Sequence, residues 1–388
     1  MTVPPSPVRP TRSVEWGTRF GVLVAALLAS LVLGEVAARL AFFPGDLLMP
    51  VLTRNDVLGL RVRPGTSGAD AWGFRNLEVP ARADLVAIGD SFTYGYSATR
   101  VDAWPAQVAR LAGLSVYNLG MGGWGPDQYY CALRIFGLRL SPRIVAIGLY
   151  LGNDLQDAVE RPSLASACES LDPAALARLD REPVGAFGAP RILGAERDWL
   201  AQHSALYQTL KLGFPRFVGG LSFRLVSGER YLSRDIRGRH VVLRKQSWLA
   251  GHPDLFETAV TKTRAALGRI EGSCREHRVD CVLVLIPSRE AIYGELVGRD
   301  PAVSAQIEAE TTAARAVRAA TGDDLVLVDP LPALRRAAAE GAPLFPSSED
   351  DHLNAAGYAV VAREVAAALQ EAARHHAVRR ATGSPGSP

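Results

Sequence analysis

The chain has 388 residues, with 43 basic and 40 acidic side chains, a net charge of +3 and 48% hydrophobic residues. That length suits one large domain or two ordinary ones, and that composition can fill a sizeable packed core. No Lys/Arg-rich run with interleaved aromatics occurs, which sets aside nucleic acid as a partner. Four cysteines, Cys131, Cys168, Cys274 and Cys281, form no C-x-x-C pair and have no histidine cluster beside them, which argues against a zinc site. The spacing of Cys274 and Cys281 permits a small disulfide loop in an oxidising compartment, and equally a pair of free buried thiols.

Residues 1–19, rich in Pro and Arg, read as a disordered tail. Residues 20–43 read FGVLVAALLASLVLGEVAARLAFF and end at Pro44-Gly45. As a helix they would span about 36 Å, against a hydrocarbon layer of about 30 Å. The unbroken apolar run ends at Gly34. Glu35 and Arg39 follow at i,i+4 spacing, where they can pair or reach the interface. A signal anchor, a cleaved signal peptide and a buried core helix all fit such a segment. No small-x-small site follows it, which favours the anchor. Arg9, Arg12 and Arg19 precede it and only Arg54 follows nearby, so the N-terminus is expected inside and the bulk of the chain outside the cytoplasm.

Residues 44–80 read as an irregular lead-in, and a domain of alternating elements is expected over 81–375. Strands are expected at 84–88, 114–118, 143–149, 282–286 and 325–328. Helices are expected at 102–111, 126–138, 258–276, 303–320 and 354–374. Short apolar strands alternating with helices predict a parallel sheet covered on both faces. The stretch at about 158–255 breaks the rhythm and reads as an insertion. Residues 376–388 read as a disordered tail.

In such sheets ligands bind beyond the carboxyl ends of the strands, and the notable polar residues fall there. The first strand runs into Gly89-Asp90-Ser91, where a serine would be exposed near a helix N-terminus and its backbone donors. A Gly-Asp-Ser triplet by itself is more often an ordinary turn or cap. The second strand leads into the glycine-rich turn 118–125, which contains Gly123. The third leads into Gly152-Asn153-Asp154. Before the last helix stands Ser348-Glu349-Asp350-Asp351-His352-Leu353-Asn354. That acidic cluster would suit a helix N-terminus, with Asn354 as N-cap. It would equally bring a carboxylate to an imidazole, fixing its tautomer while the imidazole takes a serine proton. Arg289 and Glu290 follow the fourth strand and lie at the same edge.

In this order the four blocks resemble the SGNH (GDSL-type) hydrolase family, in its membrane-anchored bacterial branch. The resemblance covers roughly 72–160 and 258–372. It implies a three-layer αβα sandwich with a five-stranded parallel, flavodoxin-like sheet. It implies Ser91 as nucleophile, His352 as base, and an oxyanion hole from the Ser91 and Gly123 N–H groups with the Asn153 side chain. The usual family spacing would place the acid at Glu349, whereas relatives that look like D-x-H-[WL]-N place it at Asp350, the preferred choice here. The implied activity is that of a serine esterase acting on an O-acyl ester of a carbohydrate or lipid outside the cytoplasm, with no metal or organic cofactor. The same site would serve an O-acyltransferase that modifies an exported polysaccharide. A non-catalytic binding module on this fold is the third reading.

Overall fold

The computed structural model describes residues 12–381, apart from 43, 67, 162, 184–193, 214–230, 237–238, 299, 320, 323–324 and 347–349. Helix α1 (Arg12–Ala41) begins inside the segment expected to be disordered. Among the described residues it is the one helix long and apolar enough to cross a membrane, over Arg19–Ala41. A one-turn helix α2 (Pro44–Leu47) follows. The lead-in is not wholly irregular: β1 (Leu52–Asn55) and β2 (Gly59–Val62) form an antiparallel hairpin, with Leu52 opposite Val62. Its turn is local chemistry, because the Asn55 side-chain oxygen accepts the Val57 and Leu58 N–H groups, each at 3.0 Å.

The central sheet begins with β3 (Leu85–Gly89), all five residues of which are buried. After it come α3 (Ser91–Tyr94), α4 (Trp104–Ala112) and β4 (Val116–Asn118). Next are α5 (Pro126–Ile135), β5 (Ile144–Tyr150) and α6 (Asp154–Glu160). In the irregular stretch, β6 (Asp180–Pro183) pairs with β1. There α7 (Gly194–His203) and α8 (Ala205–Gly213) follow one another, and β7 (Tyr231–Ile236) and β8 (Arg239–Arg244) form a separate hairpin. The rhythm then resumes with α9 (Phe256–His277), β9 (Asp280–Ile286), α10 (Arg289–Tyr293) and α11 (Pro301–Arg318). It ends with β10 (Leu325–Val328), α12 (Leu331–Ala339) and α13 (Ala355–Ala381). The last helix therefore runs to Ala381, past its expected end.

The five strands pair in parallel in the order β10-β9-β5-β3-β4. Alternation along β3 explains the three layers. Val86 and Ile88 join an apolar cluster with side chains of α5 and α9, while Leu85 and Ala87 join a second with α4, α12 and α13. Both faces are thus covered, as a parallel sheet requires. The chain steps from β3 to β4 on one side and resumes at β5 on the other. That is the flavodoxin-type order, whose ligand crevice opens at the carboxyl ends of the two strands flanking the reversal, here β3 and β5.

The one disulfide among the described residues joins Cys131 on α5 to Cys168. It is not the Cys274–Cys281 loop that the spacing permits. Those two thiols are free, and both are buried where α9 ends and β9 begins.

Candidate active site

Beyond β3 the backbone must turn sharply, and Gly89 is there for space. A Cβ on Gly89 would stand 2.1 Å from the Thr93 hydroxyl and 2.8 Å from the Gly148 carbonyl on the neighbouring strand. Asp90 then caps α3: its Oδ1 accepts the Phe92 N–H at 2.9 Å. This places Ser91 at the first helical position, at the crevice.

Ser91 Oγ lies 2.9 Å from His352 Nε2. On the other side of the ring, His352 Nδ1 lies 2.9 Å from Asp350 Oδ1, which also accepts the His352 backbone N–H at 2.9 Å. Asp350 Oδ2 accepts the Ser97 hydroxyl. Burial alone would raise the Asp350 carboxyl, but the hydrogen bonds from His352 and Ser97 bring it down to about 2. It is therefore ionised at neutral pH and orients an Nδ1–H, which leaves Nε2 free to accept from Ser91. The imidazole is held between aromatic rings, Phe92 at 4.9 Å and Tyr96 at 5.3 Å between centroids.

Ser91 has a second partner. Its Oγ is 3.2 Å from Asp90 Oδ2, and Asp90 is fully buried. Burial pushes the Asp90 carboxyl up to about 6, against the pull of the Phe92 N–H and His352. Asp154 is buried beside the same crevice. Its carboxyl accepts from the Tyr129 hydroxyl and the Tyr150 N–H, each at 2.7 Å, and burial pushes it far above the ordinary carboxylate range.

Gly123 and Asn153 stand on the neighbouring turns. The glycine turn is tied to β3 by the Met121 N–H, which donates to the Gly89 carbonyl at 3.0 Å. Gly123 has φ +76°, a conformation that favours glycine, and is exposed with open space where a side chain would stand. Asn153 is the N-cap residue of α6, and its Oδ1 is buried with no hydrogen-bond partner among the described residues. No described hydrogen bond joins Gly123 or Asn153 to Ser91, His352 or Asp350. Glu349 lies outside the described residues. Asp351 turns away from the imidazole to pair with Arg244 and, at 3.8 Å, with Arg289. Arg289 and Glu290 therefore brace β8 and Asp351: Glu290 accepts the Arg244 N–H at 2.7 Å, and Arg289 donates to the Val242 carbonyl at 3.2 Å.

Ser97, Asp90 and Tyr96 are site neighbours that sequence reasoning did not select. Asp90 stood in plain view beside Ser91. Ser97 carried no signal, because its link to Asp350 joins positions 253 residues apart.

The serine, glycine and asparagine turns thus follow three strands of a five-stranded parallel sheet of flavodoxin-type order, and the Asp-x-His block precedes the last helix. Residues 242–384 match the family model described as SGNH hydrolase-like domain, acetyltransferase AlgX. The matched part contains Asp350 and His352 and begins after Ser91. A search of the curated proteins finds no match. Among solved structures, a lipolytic protein of the G-D-S-L family from Desulfitobacterium hafniense is 14% identical, with 73% of this chain and 98% of that one covered and a TM-score of 0.37. The acetylxylan esterase Axe2 from Geobacillus stearothermophilus is 13% identical, with 75% and 95% covered and a TM-score of 0.36. Likenesses at this level carry no statement about activity.

Proposed function

We propose that the chain is a serine-dependent acyl-transfer enzyme, an esterase acting on O-acyl esters, with Ser91 as nucleophile and His352 as base. The observation that carries this reading is the continuous chain Ser91 Oγ–His352 Nε2, His352 Nδ1–Asp350 Oδ1, with 2.9 Å at both links. In the first step Ser91 Oγ bonds to the ester carbonyl carbon and its proton passes to His352 Nε2. The tetrahedral oxyanion is held by the Ser91 and Gly123 N–H groups and the Asn153 amide. The carbon–alkoxide bond then breaks, and the alkoxide leaves with the proton from His352. In the second step water or an alcohol adds to the acyl carbon and gives its proton to His352; the carbon–Ser91 Oγ bond then breaks, Oγ takes that proton back from His352, and the acid or new ester leaves. Loss of one oxyanion donor typically costs about 3–4 kcal/mol in the barrier. Helix α1 is read as a single-pass anchor, with the domain outside the cytoplasm.

An O-acyltransferase reading is favoured by one specific finding, the acetyltransferase named in the family description that residues 242–384 match. The two readings differ only in the second acceptor. Hydrolysis of p-nitrophenyl acetate, measured with and without a polysaccharide acceptor, separates them. Release that rises with acceptor, with acetyl groups appearing on it, selects the transferase. Hydrolysis and fluorophosphonate labelling that both persist in Ser91→Ala would remove both readings.

A further inference from the structure

The end of α1 is fastened to the domain at two places. Glu35 accepts the Ala205 and Leu206 N–H groups at 2.9 Å and the Ser204 hydroxyl at 2.8 Å, capping the start of α8. Farther along, Asp46 on α2 pairs with Arg75 and accepts the Arg100 N–H at 2.6 Å. Arg75 is buried and donates to the Gly45 carbonyl at 3.1 Å, the Gly95 carbonyl at 3.0 Å and the Ala98 carbonyl at 2.9 Å. The turn it grips carries Tyr96 and Ser97, and Ser97 holds Asp350. A short run of bonded groups therefore connects the segment leaving α1 to the His352 side of the site.

Between that segment and the site lies a groove of about 660 Å³, lined by Leu48, Pro50, Tyr94, Tyr96, Ser97 and Ala356 among others. Among its lining residues Tyr96 packs beside His352, while Ser91 and His352 do not themselves line it. The Tyr96 ring is 5.3 Å from the His352 ring and packs on the glycine turn, where a Cβ on Gly122 would stand 2.7 Å from it. The outer wall is chain that has just left α1. Several polar groups bordering the groove are already committed to partners: Asp46 to Arg75, Ser97 to Asp350, and Thr99 to Asp102 at 2.6 Å. Besides the Tyr94 and Tyr96 hydroxyls the exposed lining is mainly apolar, which suits a hydrocarbon chain better than a sugar chain.

We propose that this groove takes the apolar chain of an amphiphilic ester, which reaches Ser91 from the bilayer surface beside α1. The proposal rests on the readings of α1 as an anchor and Ser91 as nucleophile, and it names the substrate class for that site. Ala356, exposed on the first turn of α13, is the place to obstruct the groove.

The full chain in nanodiscs is assayed on p-nitrophenyl acetate and p-nitrophenyl decanoate. Ala356→Trp should lower the decanoate-to-acetate ratio of kcat/KM at least tenfold, mainly through the KM for decanoate. Ala356→Ser should keep the wild-type ratio. A ratio that stays constant in Ala356→Trp, whether or not both rates fall, overturns the proposal. If the wild-type chain hydrolyses neither ester, the nucleophile reading has failed, and the groove is read by direct binding of a fluorophore-labelled decanoate. Binding weakened tenfold by Ala356→Trp then supports the groove, and equal binding overturns it. Flotation of the full chain with phosphatidylcholine vesicles reports on the anchor separately.

Discussion

Replacing Asp350 by Asn tests the hydrogen-bonded chain at the link that two neighbouring carboxylates contest. The change keeps an acceptor of similar shape for the His352 N–H groups but removes the charge. In the folded protein the Asp350 carboxyl is brought from 3.8 to about 2. Since each tenfold is about 1.4 kcal/mol, that lowering corresponds to roughly 2 kcal/mol of preference for the charged form. The side chain is 34% exposed, so solvent screening reduces the usable part to ~1–2 kcal/mol. The expected loss in kcat/KM on p-nitrophenyl acetate is thus roughly 5- to 30-fold, and more if the amide favours the wrong imidazole tautomer. Glu349→Gln should stay within about twofold of wild type. The sign for stability follows from the lowered carboxyl. Its contribution is fully present above pH ~4 and is lost as pH falls through ~2. Activity of Asp350→Asn within twofold of wild type, or a larger loss from Glu349→Gln, would refute the assignment.

Two buried carboxyls act in the opposite sense. Burial raises Asp90 to about 6 and Glu310 to about 7, so each contributes stability below pH ~4 that is lost as pH rises through those values. The urea midpoint of wild type relative to Glu310→Gln should therefore fall between pH 5 and pH 8, and a constant difference would exclude Glu310 as the cause. Arg75→Ala leaves Asp46 without its main partner in a largely enclosed site. The cost of breaking such a pair is ~3–5 kcal/mol, visible as a lowered midpoint in chemical denaturation; a change under ~1 kcal/mol would mean the clamp is unimportant. The Cys131–Cys168 link spans 37 residues, and a closed loop of that size stabilises by ~4 kcal/mol in the chain-entropy picture. Cys131→Ser should show a loss of that order, and an equal midpoint with and without reductant in wild type would contradict it.

Much of the fold was legible in the sequence because buried parallel strands must be nearly continuous apolar runs. LVAIG, IVAIGLY and DCVLVLI admit few other readings once helices separate them. The hairpin of β1 and β2 was not legible. Its strands are four residues each and carry Arg54 and Arg61, and only pairing with β6, more than a hundred residues away, completes that sheet. The start of α1 was misplaced for a related reason: helical hydrogen bonding continues through residues 12–19, although their composition is that of a tail.

The sequence by itself determined the chemistry on offer. A serine, a glycine turn and an asparagine follow three successive strands, where an α/β sheet exposes backbone donors and short polar side chains, and an Asp-x-His block precedes the last helix. Only the tertiary structure decided which groups meet. It chose Asp350 to face His352, whose backbone N–H it also accepts, and sent the adjacent Asp351 to Arg244, on the other side of the loop. It brought Ser97 to Asp350, Cys131 to Cys168, and the exit of α1 to the turn beside His352. Those contacts depend on chain closure over tens to hundreds of residues, which no local pattern encodes.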